Sequence, residues 1–216
     1  ASIRQILSDT ASSRPDDIWL VTPETDNSFS WKETDQRAEK IACYLQGAGL
    51  SKGASVAVAA PNGAAASFAF LGIVFGGFRA TPLNLVAGVK TLSFVLNHSK
   101  TEMILCADDS RALVEQAVAG LVETGKTAPR IISMDIDDGP RWAKTKITPV
   151  KPIDLHAPSA STIGLLMYTS GTTGVPKGVL LSHANLIAAG ANVMNAHKLT
   201  RAVAGMCILP IYHING

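Results

Sequence analysis

The chain predicts an α/β fold with a largely parallel sheet, and three observations carry that reading. Short apolar runs of strand length alternate with helix-length segments through most of the 216 residues. Hydrophobic residues make up 47% and charged residues 17%, with a mean hydropathy of +0.21, so a sizeable core forms and disorder is excluded as the dominant state. No charged residue occurs from Gly53 to Phe78, as an interior strand and helix of such a fold require. That run is long enough to cross a bilayer, but Pro61, Asn62 and Gly63 break it into a buried strand and a core helix, and no transmembrane segment is predicted.

The elements follow in order. Ser30 to Glu33 forms a capping box, in which the serine side chain and the glutamate carboxylate satisfy free amides at a helix start. The helix that follows places Thr34, Ala38, Ile41, Leu45 and Ala48 on one stripe and stops at Gly49. A strand at 55–60, a helix at 64–76, an extended piece from Ala80 to Leu83 and a helix at 88–97 come next. A strand from Met103 to Cys106, a helix from Ser110 to Glu123 and a strand from Arg130 to Ser133 continue the alternation. Pro129, Pro140, Pro149, Pro152 and Pro158 then cluster with Asp135, Asp137, Asp138 and Gly139, which predicts an irregular connection over 135–160 between an α/β subdomain at 1–134 and a second one starting at 161–216. Regular structure resumes with strands Ile163 to Tyr168 and Val179 to Leu181, a helix from His183 to Ala196, and a strand from Met206 to Leu209. There is no internal repeat.

Charge and cysteine content narrow the function classes. Lys and Arg number 19 against 17 Asp and Glu, with no block of five like charges, which gives no footprint for nucleic acid or an anionic membrane. Cys43, Cys106 and Cys207 are far apart and form no C-x-x-C pair, so neither a disulfide framework nor a zinc site is expected. Each lies in an apolar stretch and reads as a small buried side chain. The opening ASIRQILSDT lacks a basic leader before an apolar core, so the expected location is cytoplasmic.

The segment richest in chemistry runs from Tyr168 to Gly178. It holds Thr169, Ser170, Gly171, Thr172, Thr173, Gly174, Pro176 and Lys177 directly after an apolar strand. Glycines let backbone amides close on an anion, hydroxyls donate further hydrogen bonds, and lysine supplies a mobile positive charge. The same composition also makes a polar hairpin between two core strands. Pro176 before Lys177 and Gly178 after it fix the lysine at a defined place, which favours a phosphate-binding loop. A Walker A loop needs a hydroxyl immediately after its lysine, and Gly178 stands there, so a P-loop NTPase is disfavoured while a triphosphate ligand is not.

The run Tyr168-Thr169-Ser170-Gly171-Thr172-Thr173-Gly174-Val175-Pro176-Lys177-Gly178-Val179 resembles the signature loop of the adenylate-forming superfamily of acyl-CoA synthetases, peptide-synthetase adenylation domains and luciferases. Phe29 to Trp31, Val56 to Asn62 and Gly77 to Asn84 are similar to N-terminal segments of the same family. Leu209-Pro210-Ile211-Tyr212-His213-Ile214-Asn215-Gly216 resembles the P-x-x-H-x-x-G segment of its acyl- and aryl-CoA synthetase branch, most closely fatty-acid and medium-chain ligases.

The resemblance implies an ATP-dependent acid–thiol ligase whose carboxylic acid attacks the α-phosphate of ATP. Pyrophosphate leaves, and the thiol of coenzyme A or of a carrier protein then takes the acyl group. It also implies that Ser170, Gly171, Thr172, Thr173, Gly174 and Lys177 hold the β- and γ-phosphates, that Thr169 lies near Mg2+, and that His213 stands beside the carboxylate as the catalytic residue. On its own, a histidine ending a strand is as often structural as functional. His183, after the N-cap Ser182, reads as structural or as a neutral hydrogen-bonding group; His98, His156 and His197 read as surface residues, Arg79 as non-catalytic, and Asp135, Asp137 and Asp138 as a solvated turn. The family's adenine, ribose and Mg2+ segments and its mobile C-terminal domain follow the His motif. The chain stops at Gly216, so an N-terminal fragment is expected, inactive alone and prone to self-association through uncovered apolar surface. A non-catalytic nucleotide-binding module is the alternative from another class.

Overall fold

A computed structural model describes residues 1–169 and 176–213. In chain order the elements are α1 (Ile3–Ser13), β1 (Ile18–Thr22), β2 (Asn27–Ser30), α2 (Trp31–Gly47), β3 (Ser55–Ala59), α3 (Ala64–Phe75), β4 (Arg79–Pro82), α4 (Val89–His98), β5 (Thr101–Ala107), α5 (Arg111–Glu123), β6 (Arg130–Asp135), β7 (Gly139–Pro140), β8 (Ile163–Thr169), β9 (Lys177–Ser182) and α6 (His183–Ala196). Seven strands form one sheet in the order β7-β6-β5-β3-β4-β8-β9, and β1 and β2 form a separate hairpin. The five strands from β6 to β8 run parallel, and the hairpin partners β7 and β9 are antiparallel additions at the two edges. The α/β reading with a mostly parallel sheet therefore holds.

The middle stretches of β3 and β5 are apolar because both of their faces are covered. Val56 and Val58 of β3, with Met103 and Leu105 of β5, join the cluster that includes Ile41 and Leu45 of α2 and Phe68 and Ile73 of α3. Ala57, Ala59, Ile104 and Cys106 point the other way, against Leu92 and Leu96 of α4 and Val114 and Leu121 of α5. Alternate residues of one strand thus enter two different cores, which replaces the polar–apolar alternation of a half-exposed strand with a continuous apolar run.

The capping box forms as its residues predict: Glu33 N–H donates to Ser30 Oγ, and Ser30 N–H donates to the Glu33 carboxylate at 2.8 Å. That backbone hydrogen bond holds the Glu33 carboxyl below its usual range. The N-terminal helix α1 and the β1–β2 hairpin had no counterpart in the pattern reading. For α1 the signal was present in Ser2, which caps the helix, and in Leu7 and Ala11, which it buries. The hairpin is held by aromatic packing: Phe29 meets Phe68 edge-on at 5.0 Å, and the Arg37 guanidinium lies over both rings.

Three local readings are corrected. The strand expected at Met206 to Leu209 does not form: no strand pairs with it, and Met206 and Ile208 are 86% and 77% exposed, so nothing rewards an extended alternation. Cys207 lies in that segment and is exposed, whereas Cys43 and Cys106 are buried as expected; burial pushes the Cys106 thiol up to about 11. Asp135 and Asp137 are not merely solvated. Arg141 grips Asp135 with two nitrogens at 2.7 Å, and Asp137 accepts from Thr25 and Asn27 of the hairpin.

Helices α2 and α3 cross at close range. A Cβ added to Gly72 would stand 2.5 Å from both Cβ and Cγ2 of Ile41, a branched side chain that is itself buried. Gly72→Ala is expected to destabilise the protein by about 1–2 kcal/mol, overpacking outweighing the helix propensity gained. The midpoint of urea unfolding checks this.

Candidate functional site

In an open parallel sheet the polar ligand sites lie beyond the carboxyl ends of the strands, because the faces are occupied by helices. Here β3, β4 and β8 are adjacent and parallel, so their carboxyl ends share one edge. Thr169 ends β8 and is exposed there. Across the β8–β9 hairpin it pairs directly with Lys177, the first residue of β9, which is also exposed. Opposed residues of an antiparallel pair project on the same face with Cβ atoms about 5 Å apart, so both side chains leave the ladder together at the mouth of the loop. Ser170, Gly171, Thr172, Thr173 and Gly174 lie outside the described residues.

Gly178 has a different role from the one its position suggested. It pairs with Tyr168, and a Cβ there would meet Leu166 Cδ1 at 3.0 Å and the tyrosine ring at 3.5 Å. The glycine leaves room for the ring to lie across β9. Tyr168 in turn packs with the α4–α5 core and hydrogen-bonds His98 Nδ1 at 2.8 Å, so His98 is a surface residue with a specific partner. Burial raises the Tyr168 pKa.

The segment bearing His213 reaches the same edge from the other side. Asn62, just after β3, donates from Nδ2 to Leu209 O at 2.8 Å and accepts from Ile211 N–H through Oδ1 at 3.0 Å. His213 N–H donates to Pro210 O in the turn that follows, and the side chain is exposed. Two strand spacings, about 10 Å, separate β3, which leads to Asn62, from β8, which ends at Thr169. Asn62 was missed as a functional candidate; its sequence signals were Pro61-Asn62-Gly63 at a strand end and its place closing the family-like segment Val56 to Asn62.

Residues 7–216 match the family model of AMP-binding enzymes. The chain belongs to that family. Sulfoacetate–CoA ligase of Cupriavidus necator is 33% identical over 218 residues, covering 100% of this chain and 41% of that protein. The 4-hydroxyphenylalkanoate adenylyltransferase of Mycobacterium marinum is 32% identical over 199 residues, covering 88% of this chain and 30% of that protein. The chain therefore spans about two-fifths of the length of the first of these relatives and less of the second. Two crystal structures share the fold: ATP-bound MatB from Rhodopseudomonas palustris, with a TM-score of 0.80 at 22% identity over 98% of this chain and 41% of that one, and the inhibitor-bound N-terminal domain of FACL13 from Mycobacterium tuberculosis, with 0.78 at 23% identity over 98% and 52%.

The other candidates lie away from this edge or on the surface. Arg79 donates to Ser99 O at 2.8 Å and takes no part in the edge. His156 is half-buried, its N–H donating to Gln46 Oε1, and His197 is exposed at the end of α6. Among the described residues no three His, Cys, Asp or Glu side chains come together as a metal site, and no helix is long and apolar enough to cross a membrane. His183 is fully buried, and its Nδ1 accepts the backbone N–H of Ile3 at 3.0 Å, joining the start of α6 to the start of α1. Accepting at Nδ1 requires the neutral ring protonated at Nε2, and burial lowers its pKa accordingly.

This arrangement has a pH consequence. The unfolded chain takes up the His183 proton at a higher pH than the folded one, so the stability it contributes is complete above about pH 6.5 and is lost as pH falls below that toward the folded pKa. His183→Asn, which keeps an acceptor near the Nδ1 position, is expected to flatten this part of the profile. Urea midpoints of both proteins across pH 5.5 to 8 check the difference.

Proposed function

We propose that the protein carrying this chain activates a carboxylic acid with ATP and transfers the acyl group to a thiol, that of coenzyme A. The observation that supports this most directly is the pairing of Thr169 with Lys177 across the mouth of a Gly/Thr loop, on the same sheet edge as the His213 segment. A carboxylate resists attack by a thiol because its charged oxygen is a poor leaving group. Attack of the carboxylate oxygen on the α-phosphate expels pyrophosphate and forms an acyl-adenylate; the thiol then adds to the acyl carbon and AMP leaves. The chain's share is to hold the triphosphate in line and offset its charge, with Ser170 to Gly174 and Lys177 on the β- and γ-phosphates and His213 beside the carboxylate. Thr169 offers one hydroxyl, a donor that suits Mg2+ when phosphate oxygens and water complete the shell. When bound, that ion would neutralise phosphate charge.

Two substrate readings have separate support. The sequence Tyr212 to Gly216 favours a fatty or medium-chain acid, while 33% identity to a sulfoacetate–CoA ligase favours a short anionic acid. The complete protein is expected to exchange labelled pyrophosphate into ATP when supplied with its acid, from a panel of fatty, aryl, short anionic and amino acids. Lys177→Ala is expected to reduce that exchange about tenfold to a hundredfold. No exchange with any acid of the panel sinks the ligase reading in favour of a non-catalytic nucleotide-binding module.

A further inference from the structure

We propose that Asn62 is a positioning residue whose side-chain amide clasps the backbone at Leu209 and Ile211 and so fixes His213 at the carboxyl end of β3. The proposal rests on the adenylation reading for its catalytic consequence, but not for its geometry. An asparagine amide presents a donor and an acceptor side by side, as a strand edge does, and here both are used on the same short stretch of backbone: Nδ2 donates to Leu209 O at 2.8 Å and Oδ1 accepts from Ile211 N–H at 3.0 Å. The sequence separation is 147 and 149 residues, so the contact joins parts of the chain that share no element.

Residues 203–208 form neither helix nor strand, Met206 and Ile208 are almost fully exposed, and Ile211 alone of this segment reaches the β3–α3 core as a partly buried side chain. Asn62 is exposed and lies just past the buried strand β3. Pro61 restricts the backbone before it, and Gly63 after it has φ +146, a conformation that lets α3 start at once. The clasp thus refers His213 to the rigid centre of the sheet, independently of the β8–β9 hairpin that carries Thr169 and Lys177. Loss of Asn62 should therefore disturb the His213 side of the site and leave triphosphate binding alone.

The test uses the complete protein and its Asn62→Ala and Asn62→Asp variants, with two readouts. In hydrogen exchange, Asn62→Ala is expected to speed exchange of the Ile211 amide about tenfold while the β3 amides of Val56 and Val58 keep wild-type protection. In pyrophosphate exchange, kcat is expected to fall about tenfold with KM for ATP within about twofold of wild type. Asn62→Asp, which keeps the acceptor for Ile211 but loses the donor to Leu209, is expected to fall between the two. Unchanged Ile211 exchange in Asn62→Ala overturns the clasp, and equal acceleration of the β3 amides makes Asn62 a general fold determinant and overturns it too. Faster Ile211 exchange with unaltered kcat overturns the positioning role. A wild-type protein that exchanges no pyrophosphate with any acid sinks the ligase reading instead, and the Ile211 amide still decides the clasp.

Discussion

Burial of β3 and β5 on both faces is the constraint from which the rest of the molecule follows. Val56 and Val58 face one helical layer while Ala57 and Ala59 face the other, and all are nearly or fully sequestered from solvent. A strand covered on both sides has no lateral surface left for chemistry. Polar and reactive groups can therefore enter only where strands end, and the parallel run of β3, β4 and β8 brings three such ends to one edge.

The two halves of the candidate site are supported by different means. Thr169 and Lys177 inherit their relation from hairpin register, which is fixed by the ladder from Leu165 paired with Leu181 to Tyr168 paired with Gly178. The Tyr168 ring lying over Gly178 and bonded to His98 adds a further lock near the loop. His213 lies in no ladder, and Asn62 holds the backbone just before it at Leu209 and Ile211. His183 acts at a greater distance, tying the far end of the hairpin to α1 through a ring that must stay neutral.

Burial is unevenly distributed. The layers around β3 hold nearly all the large sequestered side chains, whereas β9 exposes Val179 and Leu180 and α6 exposes Val193 and Met194. The charged content of 17% is thus spread over a molecule whose apolar residues fill one region and line the surface of another. A chain that spans about two-fifths of a relative of its own family presents this contrast as a physical fact about its surface.

The sequence by itself determined the element types from α2 to β6 and from β8 to α6, the burial of the strand and helix within the Gly53 to Phe78 run, and the loop composition around Lys177, because these are local properties: hydrophobic period, cap residues, and the density of glycine, hydroxyl and lysine side chains. It also carried the family, through two short motifs whose residues need no fold to be read. Tertiary structure alone decided the strand order, the pairing of Thr169 with Lys177, the packing reason for Gly178, the exposure of Cys207 and the absence of a strand at Met206 to Leu209. Each of these depends on which partner lies across a gap of many residues, and an apolar run reads the same whether a neighbouring strand pairs with it or nothing does. Asn62 shows the difference most plainly: its amide is one of many along the chain until folding brings Leu209 and Ile211 within hydrogen-bonding distance.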